Sequence, residues 1–285
     1  MTYVPTRSSV AYFSMEICLE QAIPTYSGGL GVLAGDTLRS AADLAVPVVA
    51  VTLLHRKGYF EQRLDPSGQQ TESPVHWQPE KVLMPVHVKT SVTLEGREVK
   101  VTAWKYVVTG VRGHEVPVYL LDTNLPENSE WDRTLTDTLY GGDEHYRLCQ
   151  EIVLGMGGAA LLQEIGYQNG TIYHLNEGHS ALLTLQLLEG QLGGRPAFEL
   201  EDADFEAVRS RCIFTTHTPV PAGHDKFPLE MVRKVLGDDR VALLESCGGV
   251  YEGMLNMTHL ALHLTRWVNG VAMRHGEVSR GMFPD

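Results

Sequence analysis

The sequence is sparing with cysteine. Its four cysteines, Cys18, Cys149, Cys212 and Cys247, lie far apart with no C-x-x-C pair. That argues against a disulfide-dense scaffold and fits reduced thiols in a reducing compartment. It also lacks any block of Lys or Arg: 23 basic residues against 35 acidic ones leave a net charge of -12. Such a balance argues against nucleic acid or an anionic membrane as partner and favours a small or neutral ligand. Long apolar runs are missing too. The opening "MTYVPTRSSVAYF" holds too short an apolar stretch for a signal peptide, and nothing later approaches a membrane span, so a cytoplasmic location is expected. There is no internal repeat and no low-complexity tract, and linker-like composition is confined to "EGQLGGRPAFELEDAD" at 189–204. One domain over 1–285 is the economical expectation, and 43% hydrophobic residues are ample for its core.

What the chain does have is a glycine-rich stretch, "YSGGLGVLAGD" (26–36), set between two short apolar β-branched runs, "SSVAYFS" (8–14) and "VPVVAVTLL" (46–54). A helix predicted over 32–45 makes this a β-α-β unit, with the glycines at the first strand-to-helix turn. Alternating residues over 81–121, interrupted by "EG" and "RG", predict antiparallel hairpins at an edge or in an insertion. Then "YRLCQEIVLGMGGAALLQEIGY" predicts a helix despite its glycines, "TIYHLN" a strand, "GHSALLTLQLLEG" and "DFEAVRSR" helices, and "CIFTTHT" a strand. This alternation is the pattern of an α/β doubly wound, mostly parallel sheet.

Ligands of such sheets bind beyond the carboxyl ends of the strands. Three polar loops fall there: "SGGLG", "NEGHS" (176–180) and "THTPVPAGHD" (216–225); "LYGGDEH" (139–145), just before a helix, is a candidate fourth loop. Each has a plain structural use as well. The glycines serve a tight turn, or strip the backbone so that an anion meets its N–H groups at a helix start. His217 and His179 serve as half-buried histidines bonded to backbone, and Asp143 and Glu177 as helix caps. A metal site built on "HLNEGH" is disfavoured, because His174 falls in the strand and His179 past the turn rather than on one helix face.

Taken together, "AYFSMEICLE", "SGGLGVLAGD", "RKGYFEQ", "LYGGDEHYRLCQEIVLGMGG", "YHLNEGHSALL", "FTTHTPVPAGHDKFP" and "RWVNGVAMRHGEVSRGMF" resemble, in order and over nearly the whole chain, the N-terminal half of the α-glucan phosphorylases of glycogen and maltodextrin. The loop wording is most similar to the bacterial and archaeal branch acting on maltodextrins. The resemblance implies a GT-B enzyme, in which two Rossmann-like domains face each other across a cleft; this chain would supply the first, with an antiparallel β-hairpin insertion near 81–121. It also implies phosphorolysis of an α-1,4-glucan by inorganic phosphate to α-glucose 1-phosphate, and pyridoxal phosphate bound to a lysine of a C-terminal domain. No lysine here sits in a stretch resembling that motif, so the 285-residue chain by itself is expected to be inactive. The resemblance leaves a homodimer open.

Carried onto this sequence, the resemblance assigns Gly28, Gly29 and the N–H of Leu30 to phosphate and sugar contact. His217 corresponds to the histidine that contacts the transferred glucose, and Asp143 to the acid of a mobile loop gating the cleft. Glu16 and His179 correspond to polar residues lining it. Cys18 stands where long phosphorylases carry a tyrosine, and Glu144 where they carry an asparagine, which puts those two contacts in doubt. Two alternatives stay open on the sequence alone. One is a nucleotide-sugar glucosyltransferase of the glycogen or starch synthase type, which carries a lysine ahead of its glycines where this chain has Tyr26 and Ser27. The other is a non-catalytic, truncated glucan-binding fragment.

Overall fold

The computed structural model describes residues 9–167, 170–220 and 223–283; Ser8 of the first expected strand and 221–222 of the third expected loop lie outside the described residues. The chain opens with β1 (Val10–Ser14), α1 (Gly29–Asp43) and β2 (Val48–Leu53). The helix starts at the glycines themselves rather than at 32. A small ribbon of β3 (Glu61–Leu64) and β4 (Gln70–Ser73) precedes three long strands, β5 (Met84–Leu94), β6 (Arg97–Thr109) and β7 (Glu115–Asp122). Glu95 and Gly96 both take positive φ (50° and 76°), the conformation of a two-residue turn whose twist matches the strands it joins.

The second half alternates helix and strand: α2 (Glu144–Ile152), α3 (Gly158–Ile165), β8 (Ile172–Asn176), α4 (Leu183–Leu192), α5 (Asp202–Arg209) and β9 (Cys212–Thr216). A smaller part follows with β10 (Lys226–Pro228), α6 (Leu229–Leu236), α7 (Asp238–Ser246), β11 (Val250–Tyr251), β12 (Met254–Asn256) and α8 (Met257–His263). Last come β13 (Trp267–Gly270) and α9 (Met273–Met282).

Among the described residues the main sheet has eight strands in the order β13-β9-β8-β1-β2-β7-β6-β5. From β13 to β7 every neighbour is parallel. β5 and β6 are added antiparallel at one edge. The expected hairpin region is therefore an edge of the sheet, and its last strand, β7, pairs parallel with β2 and belongs to the centre.

Alternation along the strands divides the core in two. Phe13, Val51, Leu121, Tyr173 and Phe214 share one buried cluster with the helices from α2 to α8. Tyr12, Ala50, Val118 and Leu120 face the opposite way, under Ala34, Leu38 and Ala42 of α1. Both faces of the sheet are covered, as a parallel sheet requires. Each large side chain removed from water in this way contributes about 1.5–3 kcal/mol.

The long helical segment departs from its sequence pattern at one place: between α2 and α3, Val153–Gly157 form a fully buried π-helical turn. The glycines there have a packing reason. A Cβ on Gly158 would lie 2.8 Å from Phe13 Cε1 and 2.9 Å from Val51 Cγ1, so glycine lets the helix settle onto the sheet.

Just before the π-helical turn, Glu151 is completely buried beside Arg147 and Asp225. Burial, and then the charge of Asp225, pushes its carboxyl well above the usual range, against the pull of Arg147 at 3.7 Å. The sign follows from linkage: the native state keeps a proton that the unfolded chain releases above about pH 4.5. This group's contribution to stability therefore falls as pH rises above that value toward the folded pKa. Glu151→Gln, permanently neutral, is expected to melt at a higher temperature than the parent by a margin that grows from pH 5 to pH 8. A margin that stays flat across thermal melts in that range would contradict the assignment.

Candidate active site

In-register pairing sets the site. Ser14 of β1 lies level with Asn176 of β8, and Asn176 with Thr215 of β9, so polar residues at the ends of three adjacent parallel strands stand side by side. Ser14 Oγ donates to the Glu16 carbonyl at 2.7 Å, and therefore accepts from Asn176 Nδ2 at 3.0 Å. The Asn176 amide oxygen is thereby turned toward His217 Nε2, 2.6 Å away. A carbonyl oxygen only accepts, so Nε2 carries the proton and Nδ1 is left as the bare acceptor nitrogen. Burial lowers the His217 pKa, opposed by the charge of Glu177, and the ring is neutral at physiological pH. His174, deeper in β8, is pushed down to about 4 by burial and then by His217, and it bonds Thr215 Oγ1 at 2.8 Å. Among the described residues no group of three or more His, Cys, Asp or Glu is placed to hold a metal ion.

Two buried carboxylates organise the loops beyond these strand ends. Glu16, 3% exposed, accepts the N–H groups of Ser27 (2.6 Å) and Gly28 (3.2 Å), the Ser27 hydroxyl (3.3 Å) and, on its other oxygen, the Tyr140 hydroxyl (2.9 Å). Glu177, also 3% exposed, accepts the N–H groups of Gly178 (3.1 Å), His217 (2.8 Å) and Thr218 (3.0 Å) and the Thr218 hydroxyl (3.0 Å). Charge-assisted bonds of this kind offset the cost of taking a carboxylate out of water.

The four glycines of the first loop divide into two pairs. A Cβ on Gly31 would come within 2.5 Å of Tyr26 Cβ and 2.8 Å of Glu16 Oε2, and one on Gly35 would collide with the Cys18 carbonyl. Those two are small because α1 packs against the segment after β1. Among the described residues a Cβ on Gly28 or Gly29 would meet nothing within 4 Å, and neither residue has a positive φ. Neither a turn nor a contact with the described residues requires glycine there. The Gly28 N–H is taken by Glu16 and the Val32 N–H by the Gly28 carbonyl, so the donors left by helix geometry at the start of α1 are those of Gly29, Leu30 and Gly31.

The fourth loop closes the group. The Tyr140 ring lies 5.6 Å from the His179 ring, with the Arg147 guanidinium 5.1 Å above it. His179 Nε2 and Arg147 both reach Asp225 Oδ2, at 3.3 and 2.7 Å. Burial pushes the Asp225 carboxyl up, but His179 and Arg147 outweigh it and hold it well below the usual carboxylate range. Asp143 serves as the N-cap of α2, accepting the Tyr146 N–H at 2.9 Å. It fills the plain capping role, and it also lines a cavity of about 850 Å³ with Tyr140, Glu144, Arg147, His224, Asp225 and Lys226.

The structure thus brings Glu16, Gly28, Gly29, Leu30, His179 and His217 to one end of the sheet, with Asp143 at the cavity beside them. Sequence reasoning passes over Ser14, Asn176, Tyr140, Arg147 and Asp225. The available signal is a polar residue closing each apolar strand run, in "AYFS" and "IYHLN". A second cavity, about 770 Å³, is lined by Arg56, Lys57, His76, Trp77 and Lys81, and none of the expected residues faces it. Arg56 and Lys57 there are already paired with Asp122 and Asp137.

No family model matches the chain. The glycogen phosphorylase of Mycobacterium tuberculosis is 39% identical over 298 residues, covering 97% of this chain and 34% of that protein. The maltodextrin phosphorylase of Thermococcus litoralis is 39% identical over 298 residues, covering 99% and 34% respectively. The glycogen phosphorylase of Aquifex aeolicus is 34% identical over 295 residues, covering 97% and 41%. The chain therefore spans about a third of the length of the first two relatives and somewhat more of the third. Over nearly its whole length the chain is therefore similar to one region of the glycogen and maltodextrin phosphorylases.

Proposed function

We propose that this chain is the sugar-facing, Rossmann-like domain of a GT-B α-1,4-glucan phosphorylase, which passes a terminal glucose to inorganic phosphate and yields α-glucose 1-phosphate. The observation that carries the reading is the hydrogen-bonded line Ser14–Asn176–His217, which presents a neutral imidazole with a bare Nδ1 beyond the strand ends. An acceptor of fixed tautomer suits a sugar hydroxyl. The N–H groups of Gly29 and Leu30, at the positive end of α1, suit phosphate oxygens, and the missing side chains of Gly28 and Gly29 let them approach. Glu16 lies behind that turn with its charge taken up by four donors, so it stiffens the loop. Asp143, Arg147 and Asp225 line the adjoining cavity with groups able to bond a polyhydroxyl chain. Closure of such a cleft excludes water in favour of phosphate, and fixed dipoles around the sugar stabilise an oxocarbenium-like transition state.

Pyridoxal phosphate, which the family resemblance implies, supplies a phosphate group that assists proton transfer to the substrate phosphate. The residues described at this cleft do not fit it by themselves. Lys226, the lysine lining the cavity, is exposed, and Gly29 and Leu30 give only neutral donors. On this reading the cofactor belongs to a partner domain across the cleft.

In the full-length protein, His217→Ala is expected to lower kcat/KM for phosphorolysis of maltoheptaose by about 2–4 kcal/mol in barrier terms, the scale of a lost oriented contact in the transition state. Parental kinetics in that variant would remove His217 from the site. The glycines give a paired test. Gly29→Ala should leave stability unchanged or raise it by up to about 1 kcal/mol, while the KM for phosphate rises or kcat falls. Gly35→Ala should cost about 1–3 kcal/mol of stability through overpacking, with the folded fraction kinetically normal. Urea unfolding and phosphate kinetics on the same preparations decide it, and unaltered phosphate kinetics in Gly29→Ala would count against the phosphate contact.

A further inference from the structure

We infer that Glu177 is a positioning residue for His217: its carboxylate gathers the backbone of the His217–Thr218 segment and fixes where the imidazole stands beyond the sheet. This rests on the phosphorylase reading of the site.

The first observation is backbone strain. Glu177 has φ 72° and ψ 168°, a region in which glycine is at ease and other residues are not. Were the bend after β8 the only requirement, glycine would satisfy it without strain. A glutamate held there points to a job for the side chain. The second observation is what that side chain does. From the end of β8 it crosses to the loop after β9 and receives two successive N–H groups, of His217 at 2.8 Å and Thr218 at 3.0 Å, together with the Thr218 hydroxyl at 3.0 Å. The Glu177 N–H itself donates to the Thr215 carbonyl at 2.9 Å, so backbone and side chain grip the same loop on either side of Thr216. Third, the His217 ring has one side-chain anchor on β8, Asn176, the residue just before Glu177. Consecutive residues of one strand end thus hold the histidine twice, by its ring and by its main chain. The strained φ at Glu177 sends its side chain toward the loop while the Asn176 side chain remains in line with Ser14.

The reach of this arrangement is specific. Glu177→Gln keeps the size and loses the charge; its amide oxygen can meet the His217 and Thr218 donors only with its NH₂ group turned against the Gly178 N–H. Glu177→Gly relieves the strained bend and removes the carboxylate altogether.

The test uses the full-length protein, with phosphorolysis of maltoheptaose as one readout and NMR titration of histidines carrying ¹³C at Cε1 as the other. Glu177→Gln is expected to lower kcat by roughly 10- to 100-fold with less than about threefold change in KM for glucan. In the His217→Ala background the same change should cost less than about twofold, because the two act as one unit. The His217 ring should titrate at lower pH in Glu177→Gln than in the parent, because the charge of Glu177 supports the imidazolium. Glu177→Gly should fold with its bend relieved and be at least as slow as Glu177→Gln. Parental kcat in Glu177→Gly, or an unmoved His217 titration in Glu177→Gln, would overturn the inference. A parent protein without phosphorolysis would instead overturn the functional reading, and the His217 titration would still test the part played by Glu177.

Discussion

The site depends on the register of three parallel strands. Because Ser14, Asn176 and Thr215 stand level across β1, β8 and β9, one hydrogen-bonded line can cross the sheet end and decide which nitrogen of His217 carries its proton. A slip of one residue in either pairing would send Asn176 to the face occupied by Leu175 and Phe214 and dissolve that line. The loops are then tied to this frame by Glu16 and Glu177, each a buried carboxylate that collects backbone N–H groups. Using acids inside the protein as acceptors for its own backbone reconciles an acidic chain with a site proposed to take an anion: among the contacts described, these two charges are occupied internally.

The fold is largely legible in the sequence because hydrophobic periodicity and turn residues act locally. The β-α-β unit around the glycines, the strands at Ile172–Asn176 and Cys212–Thr216 and the helices between them follow from apolar runs and their breaks. The helix start at Gly29 escapes that pattern because glycine has poor intrinsic helix propensity, and the first turn here owes its shape to Glu16 and to packing against the segment after β1. The π-helical turn at Val153–Gly157 also leaves no local sign: it answers to Phe13, Val51 and Leu183, all distant in sequence.

Within the site, residue types signal position better than role. The sequence places three loops at strand ends and a fourth before a helix, and the structure joins them through Glu16, Tyr140, His179 and Asn176. The glycine run cannot be divided from sequence, since Gly28 and Gly29 differ from Gly31 and Gly35 only in what a methyl group would strike. Nor can Glu177 be told from an ordinary cap. Its importance lies in a positive φ and in donors forty residues downstream, neither of which leaves a local pattern.

The central claim is that these strand-end loops together form the ligand-facing surface. Hydrogen–deuterium exchange on the full-length protein, with and without maltoheptaose plus phosphate, addresses it most directly. Ligand-dependent protection over 26–31, 139–147, 176–180 and 215–218, with β5 and β6 unchanged, is the expected result. Protection confined to the β5–β6 edge or to the cavity around Trp77, with the strand-end loops unaltered, would contradict it.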